Sequence, residues 1–141
     1  MVQRQIIFSR MGLDFAIQWL RASANLKLPA GEFDEKDKEV VIHHTPLGAV
    51  IRIVPWNYPI LLACRKITPA VATGNSIVIK PSPLISARDF KICELAQRIF
   101  HQDVIQRLSG YDALGPWLTS HPIPAEISFT GSTFVGKKII E

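Results

Sequence analysis

At 141 residues with 48% apolar side chains, the chain has the size and composition of one globular domain able to bury its own core, which excludes a disordered or fibrous protein. The basic residues behind the formal charge of +4 are scattered, as Arg4, Arg10, Arg21, Lys66, Lys91 and Lys137 show, so they argue for solubility and against nucleic-acid binding. The apolar runs fall far short of the roughly 18 residues a membrane span needs and no signal-peptide pattern is visible, which leaves the cytoplasm as the default location.

Taken in order, Leu13, Ala16, Ile17, Leu20 and Ala24 fall at helical intervals and predict a helix from about Met11 to Leu26. Leu28-Pro29-Ala30-Gly31 is expected to end it, and the densely charged stretch Glu32 to Glu39 reads as a solvated loop. Glu39 to His44 reads as a short strand. On a strand, His43 and His44 face opposite sides and cannot share one metal ion.

Ala49 to Val54 is an apolar, β-branched run that stops at Pro55-Trp56-Asn57, and Pro59 opens a segment with helical spacing, so this stretch predicts strand, tight turn, helix. After the turn Ala72-Thr73-Gly74-Asn75, Ser76 to Lys80 reads as a buried strand that Pro81-Ser82-Pro83 forbids from continuing. Ser86 to Phe100 patterns as a helix and Val104 to Leu108 as a strand. Ser109 to Gly115 follows as a glycine-punctuated loop, and Pro116 to Ser120 as a short helix. Ala125 to Thr130 is the last strand, and Gly131-Ser132-Thr133 leads into a helical pattern with no capping signal before Glu141, which predicts a continuation in a longer protein.

Strand and helix thus alternate four times from residue 49 onward, which calls for an α/β fold with a parallel sheet and flanking helices. Residues 1–45 are expected to form an N-terminal helix and bridging strand, and residues 46–141 an incomplete nucleotide-binding α/β domain. In such sheets ligands bind at the carboxyl ends of the strands, which places three stretches in view. An amide at Asn57, held at a strand-to-helix turn, can donate to oxygen charge developing on a carbonyl, or can simply turn the chain ahead of Pro59. Trp56 can line a site or pack. Lys80 can meet ribose hydroxyls or phosphate, or reach solvent.

Phe129-Thr130-Gly131-Ser132-Thr133 joins a strand to a helix, where free amides and the helix dipole favour an anion and small residues let a pyrophosphate approach. Ser132 or Thr133 can equally serve as an N-cap. Gly131 to Lys137 also matches the first seven positions of a nucleoside-triphosphate P-loop, but the eighth must carry a hydroxyl for Mg²⁺ and is Lys138. No G-x-G-x-x-G occurs, so a dinucleotide would be held differently from the usual Rossmann arrangement. Cys64 and Cys93 lie in helical patterns without metal spacing and read as small buried thiols.

Three blocks, PLGAVIRIVPWNYP, PAVATGNSIVIKPS and ISFTGSTFVGK, resemble in order and spacing three consecutive blocks of the aldehyde dehydrogenase superfamily. The resemblance is strong from about Pro46 to Lys138, weaker from Phe15 to Val41, and corresponds to the first portion of the cofactor domain of a protein of usually near 500 residues. It implies a partial aldehyde-dehydrogenase fold with a Rossmann-like sheet, NAD or NADP as cofactor, and an aldehyde oxidised to a carboxylic acid through a cysteine thiohemiacetal.

Residue by residue, Asn57 matches the asparagine that stabilises the oxyanion. Ile53, Val54, Pro55 and Trp56 match the wall around the cofactor, and Lys80 the lysine near the adenosine ribose. Gly131 and Ser132 match the pyrophosphate turn and Val135 an adenine contact. Ser82, Pro83, Gly115, Phe129 and Thr130 complete the expected cofactor set.

There are three departures. Pro83 stands where the family commonly has an acid three residues after the lysine, which leaves NAD against NADP open, and Phe134 stands where glutamate is frequent. The family's general-base glutamate and nucleophilic cysteine match positions beyond Glu141, so the 141-residue chain is expected to show no turnover by itself. The alternative expectation is a non-catalytic truncated paralogue that binds nucleotide, forms a homo-oligomer or pairs with a full-length subunit through an open sheet edge.

Overall fold

The computed structural model describes residues 2–27, 31–35, 38–84 and 91–141. Helix α1 spans Val2–Ala24, starting well before the apolar spacing at Met11, because Gln3, Arg4, Gln5 and Arg10 are ordinary helix formers. Its packed side also differs from expectation. Among the residues from Arg10 to Ala24, Gly12, Ala16 and Ser23 are the buried positions, while Leu13, Ile17 and Leu20 are each at least 39% exposed. Small side chains let α1 approach α2 closely, and a Cβ at Gly12 would lie 3.5 Å from the Tyr58 ring just ahead of α2.

The charged stretch expected as a loop is instead a hairpin. Strands β1 (Gly31–Glu35) and β2 (Lys38–Ile42) pair antiparallel from Gly31 with Ile42 to Glu35 with Lys38. Backbone pairing overrides composition here, and residues of both charge signs along the two strands suit an exposed ribbon. The predicted strand Glu39–His44 therefore begins one residue earlier and ends at Ile42, leaving His43 and His44 in the connection to the next strand.

The remaining elements form the parallel layer. They are β3 (Ala49–Val54), α2 (Pro59–Ala72), β4 (Ser76–Pro81), α3 (Lys91–Ala96), β5 (Ile105–Arg107), α4 (Leu114–Thr119), β6 (Glu126–Phe129) and α5 (Thr133–Ile140). The four strands lie in the order β5-β4-β3-β6, all parallel. Taken in chain order from β3 this is 3-2-1-4, the pattern of half a doubly wound sheet, with the reversal between β3 and β6. Pro81 is included in β4, paired with Val54 at the strand's last position, where a missing N–H costs least.

On the face covered by α2 and α3, Val50, Val54, Ile77, Ile79 and Ile105 pack with Ala63, Ile67, Ala70 and Cys93. The α2 end is fixed by Gly74 at φ 80, a left-handed position where a Cβ would also meet Pro46 Cγ at 2.9 Å. Asn75 Oδ1 then accepts from the Gly48 amide at 3.0 Å, tying the entries of β3 and β4 together. Helix α3 is shorter than the pattern 86–100, of which 86–90 lie outside the described residues. Beyond Ala96 the amides of Arg98 and Ile99 bond three residues back, tightening the chain into turns. Gly115, expected in a loop, sits instead in the first turn of α4 beside Pro116, where neither a missing side chain nor a missing N–H is costly.

Candidate functional site

Because the strands are parallel, the ends of β3, β4 and β6 open on one edge of the sheet. Register sets Lys80, Ile53 and Phe129 side by side in a single row across β4, β3 and β6, a span of about 10 Å at normal strand spacing. Just past that row lie the predicted breaks Pro55-Trp56-Asn57, Pro81-Ser82-Pro83 and Gly131-Ser132-Thr133. The fold therefore gathers Asn57, Lys80 and Ser132, remote in sequence, at one edge.

The turn after β3 leaves the sheet with Trp56 64% exposed and Asn57 exposed, and the Asn57 side chain makes no hydrogen bond among the described residues. Asn57 is not the cap of α2. Tyr58 holds that position in left-handed backbone (φ 48, ψ 51) with no side-chain cap bond, and Pro59 supplies the first helical residue. Left-handed backbone at a tyrosine ahead of proline is strained by roughly 1–2 kcal/mol, offset here by packing of the Tyr58 ring over Gly12. The tight turn leaves the Asn57 amide available to a ligand.

Lys80 is 93% withdrawn from water, and its Nζ donates to the Pro81 carbonyl at 3.2 Å. Burial lowers the lysine's pKa from its ordinary value, and the negative charge of Asp112 opposes that shift. Gly115 gives the stem its room, since a Cβ there would stand 3.8 Å from Lys80 Cε. Ser82 Oγ accepts from the Leu84 amide at 3.3 Å, and Pro83 is exposed in the same turn.

At the end of β6 the Thr130 amide donates to the Ile53 carbonyl at 3.2 Å, which clamps this turn to the end of β3. Ser132 is the N-cap of α5, its Oγ accepting from the Val135 amide at 3.4 Å, and the first intrahelical bond is Gly136 N to Ser132 O. The amides of Thr133 and Phe134 precede that bond and face the helix's open N-terminal end. Thr130, Gly131, Ser132 and Val135 are exposed and Phe129 is half-buried beneath Gly131. At the position where a P-loop would need a hydroxyl, the Lys138 ammonium lies 4.6 Å from the centre of the Phe134 ring. A buried cation, an open helix N-terminus and exposed aromatic and aliphatic side chains suit a long ligand carrying hydroxyls and phosphate.

Sequence reasoning missed a second polar group, on the α2 face. Arg52 is buried and forms a two-pronged pair with Glu126 (2.8 and 3.1 Å), and Lys66 Nζ donates to Ser128 Oγ at 2.7 Å. These residues border a cleft of about 430 Å³ that also touches His44 and Asn75. The available signal was one arginine inside the apolar strand AVIRIV. Cys64 and Cys93 are 1% and 3% exposed, and burial pushes the Cys64 thiol up to about 11 and raises that of Cys93. Among the described residues no His/Cys/Asp/Glu group of three or more could hold a metal, and no helix is long and apolar enough to cross a membrane.

The sequence matches the Aldehyde dehydrogenase family over residues 3–141. It is 46% identical over 125 residues to the putative aldehyde dehydrogenase FUS7 of Gibberella fujikuroi, covering 89% of this chain and 27% of that protein. It is 34% identical to aldehyde dehydrogenase B of Escherichia coli, covering 94% of this chain and 27% of the relative. Among solved structures it superimposes on Staphylococcus aureus betaine aldehyde dehydrogenase in complex with NAD+ (TM-score 0.81, 32% identity, 94% of this chain and 27% of that one). A similar match is glyceraldehyde-3-phosphate dehydrogenase GapN of Methanocaldococcus jannaschii complexed with NADP (TM-score 0.82, 31% identity, 93% and 30%). The chain thus spans a little over a quarter of the length of these relatives.

Proposed function

The chain belongs to the aldehyde dehydrogenase family, and we propose that its strand-end edge binds NAD or NADP as part of an enzyme that oxidises an aldehyde to a carboxylic acid. The observation that carries this reading is the register row Lys80–Ile53–Phe129, with the turns of Asn57 and Ser132 beside it. In this reading Lys80 donates to ribose hydroxyls from its buried position. The open amides at the start of α5, with Gly131 and Ser132, receive the pyrophosphate, and Val135 meets the adenine. Ile53, Val54, Pro55 and Trp56 form the wall along the cofactor, with Ser82, Pro83, Gly115, Phe129 and Thr130 shaping its ends.

Asn57, rigid and unpaired, donates to the aldehyde oxygen as negative charge develops there, a contribution typically worth about 3–4 kcal/mol of barrier. The nicotinamide, when bound, supplies the hydride acceptor. The nucleophile is assigned to neither cysteine of this chain, since burial favours the neutral thiol at both, so turnover requires residues outside these 141. The second reading, a non-catalytic nucleotide-binding or subunit-pairing module, is favoured by those inert thiols and by the outer edge of β6, which has no strand partner among the described residues.

Calorimetric titration of NAD into the 141-residue chain and into Lys80→Ala tests the cofactor reading. Loss of a charge-assisted hydrogen bond at a buried ammonium is expected to weaken binding about tenfold or more. Equal affinities for the two proteins would overturn it. Aldehyde-dependent NADH formation by the chain alone would overturn the assignment of the nucleophile to another segment.

A further inference from the structure

The cleft bordered by α2, β3 and β6 is lined by Arg52, Arg65 and Lys66 against a single carboxylate, Glu126. That carboxylate is already occupied, since the Arg52 guanidinium donates to both of its oxygens at 2.8 and 3.1 Å. Lys66 is left with a neutral partner. Only 9% exposed, it donates from Nζ to Ser128 Oγ at 2.7 Å and forms no ion pair among the described residues. Arg65 is exposed on the same lining, its guanidinium 4.9 Å from the centre of the Trp19 ring.

A serine hydroxyl uses only one of the donor hydrogens an ammonium carries. Ser128, in accepting from Lys66, keeps its own O–H to donate, and no acceptor meets it among the described residues. Two donors 2.7 Å apart can converge on one oxygen, in a lining short of negative charge. Burial lowers the Lys66 pKa and the charge of Arg52 adds to that shift, against the opposing pull of Glu126, so an anion beside Lys66 would relieve a cost the fold carries. Strand alternation puts Arg52 and Ser128 on the face opposite Ile53 and Phe129, which separates this cleft from the row at the strand-end edge. Its volume of about 430 Å³ is that of a small-molecule site.

We propose that this cleft binds a small dianionic metabolite, with a carboxylate or phosphate oxygen seated between Lys66 Nζ and Ser128 Oγ and the Arg65 guanidinium countering its second charge. Arg52, neutralised by Glu126, holds β3 to β6 and leaves the ligand to the other two cations. The site stands apart from the dinucleotide reading and does not depend on it.

The test is an NMR titration of the 141-residue chain with inorganic phosphate and, separately, with succinate, ionic strength being held constant with chloride. At least one of the two is expected to shift the Lys66 and Ser128 amides saturably, and which one does so tells a phosphate ligand from a dicarboxylate. Lys66→Met keeps the aliphatic stem and removes the charge, and should weaken that binding about tenfold or more. Ser128→Ala should weaken it about threefold, and decides the matter if Lys66→Met loses its dispersed amide spectrum. Lys91→Met, at an exposed lysine paired with Glu94 outside the cleft, should bind as the wild type does. No saturable shift with either anion would overturn the proposal. So would equal affinity in the wild type and both cleft variants, or shifts confined to Thr133 and Phe134 at the start of α5, where the anion would be using the helix N-terminus instead.

Discussion

Around β4, which has a strand on either side, Ile77 and Ile79 are fully buried and α2 contributes Ala63, Ile67 and Ala70 to a dry core. Around β6, paired on one side, Ile127 and Phe129 remain half-buried, α5 contributes no buried residue, and the joints are polar: Ser128 accepts from Lys66 of α2 and Glu126 pairs with Arg52 of β3. The β5-β4-β3 side is thus built for stability. The β3–β6 side supplies the reversal of strand order, the helix N-terminus and the exposed turns that a ligand can use.

The contrast makes unequal demands on substitutions that look alike. Ile77→Ala removes a fully buried side chain from the closed half and is expected to cost about 3–4 kcal/mol in denaturant unfolding, against about 1 kcal/mol for half-buried Ile127→Ala. Equal losses would erase the distinction between the halves.

Alkaline titration probes the dry half differently. The native Cys64 thiol titrates near 11, above its ordinary value of 9.0, so its contribution is complete below pH 9 and is lost as pH rises toward 11. The loss by pH 11 is roughly 2 kcal/mol, and subtracting the same titration of Cys64→Ala isolates it from the opposing effect of Lys66, whose pKa burial lowers. Ser132→Ala on the open half should cost least, about 0.5–1 kcal/mol from the lost α5 cap. A larger loss would mean that this turn supports the core.

Much of this arrangement was legible in residue order. Hydrophobic run, proline-bearing turn and helical spacing identify β3, α2 and β4, and the Phe129–Thr133 string identifies the entry to α5, because those signals are local. The hairpin β1–β2 was hidden by its charges, since the string Glu32 to Glu39 offers no apolar alternation to read. On α1 hydrophobic spacing identifies Ala16 but not Gly12 and Ser23, which are buried without offering an apolar signal, nor does it show that Leu13, Ile17 and Leu20 stay exposed. At the site, Asn57, Lys80 and Ser132 could be named one by one, but their assembly along one edge needed the strand order. The Arg52–Glu126 pair needed tertiary proximity that no local pattern encodes.

The strand order also dictates when the ligand edge can come into being. Gly48 and Asn75, bonded where β3 and β4 begin, are 27 residues apart, whereas the Arg52–Glu126 pair joins residues separated by 74. As the chain leaves the ribosome, β3, α2 and β4 can close on one another early, while the other flank of β3 stays bare until β6, which follows β5 and α4, has been made. The strand-end edge should therefore assemble only after β6 has been made. Before β6 is made, an uncovered flank of β3 is what a chaperone, or another nascent copy, would meet.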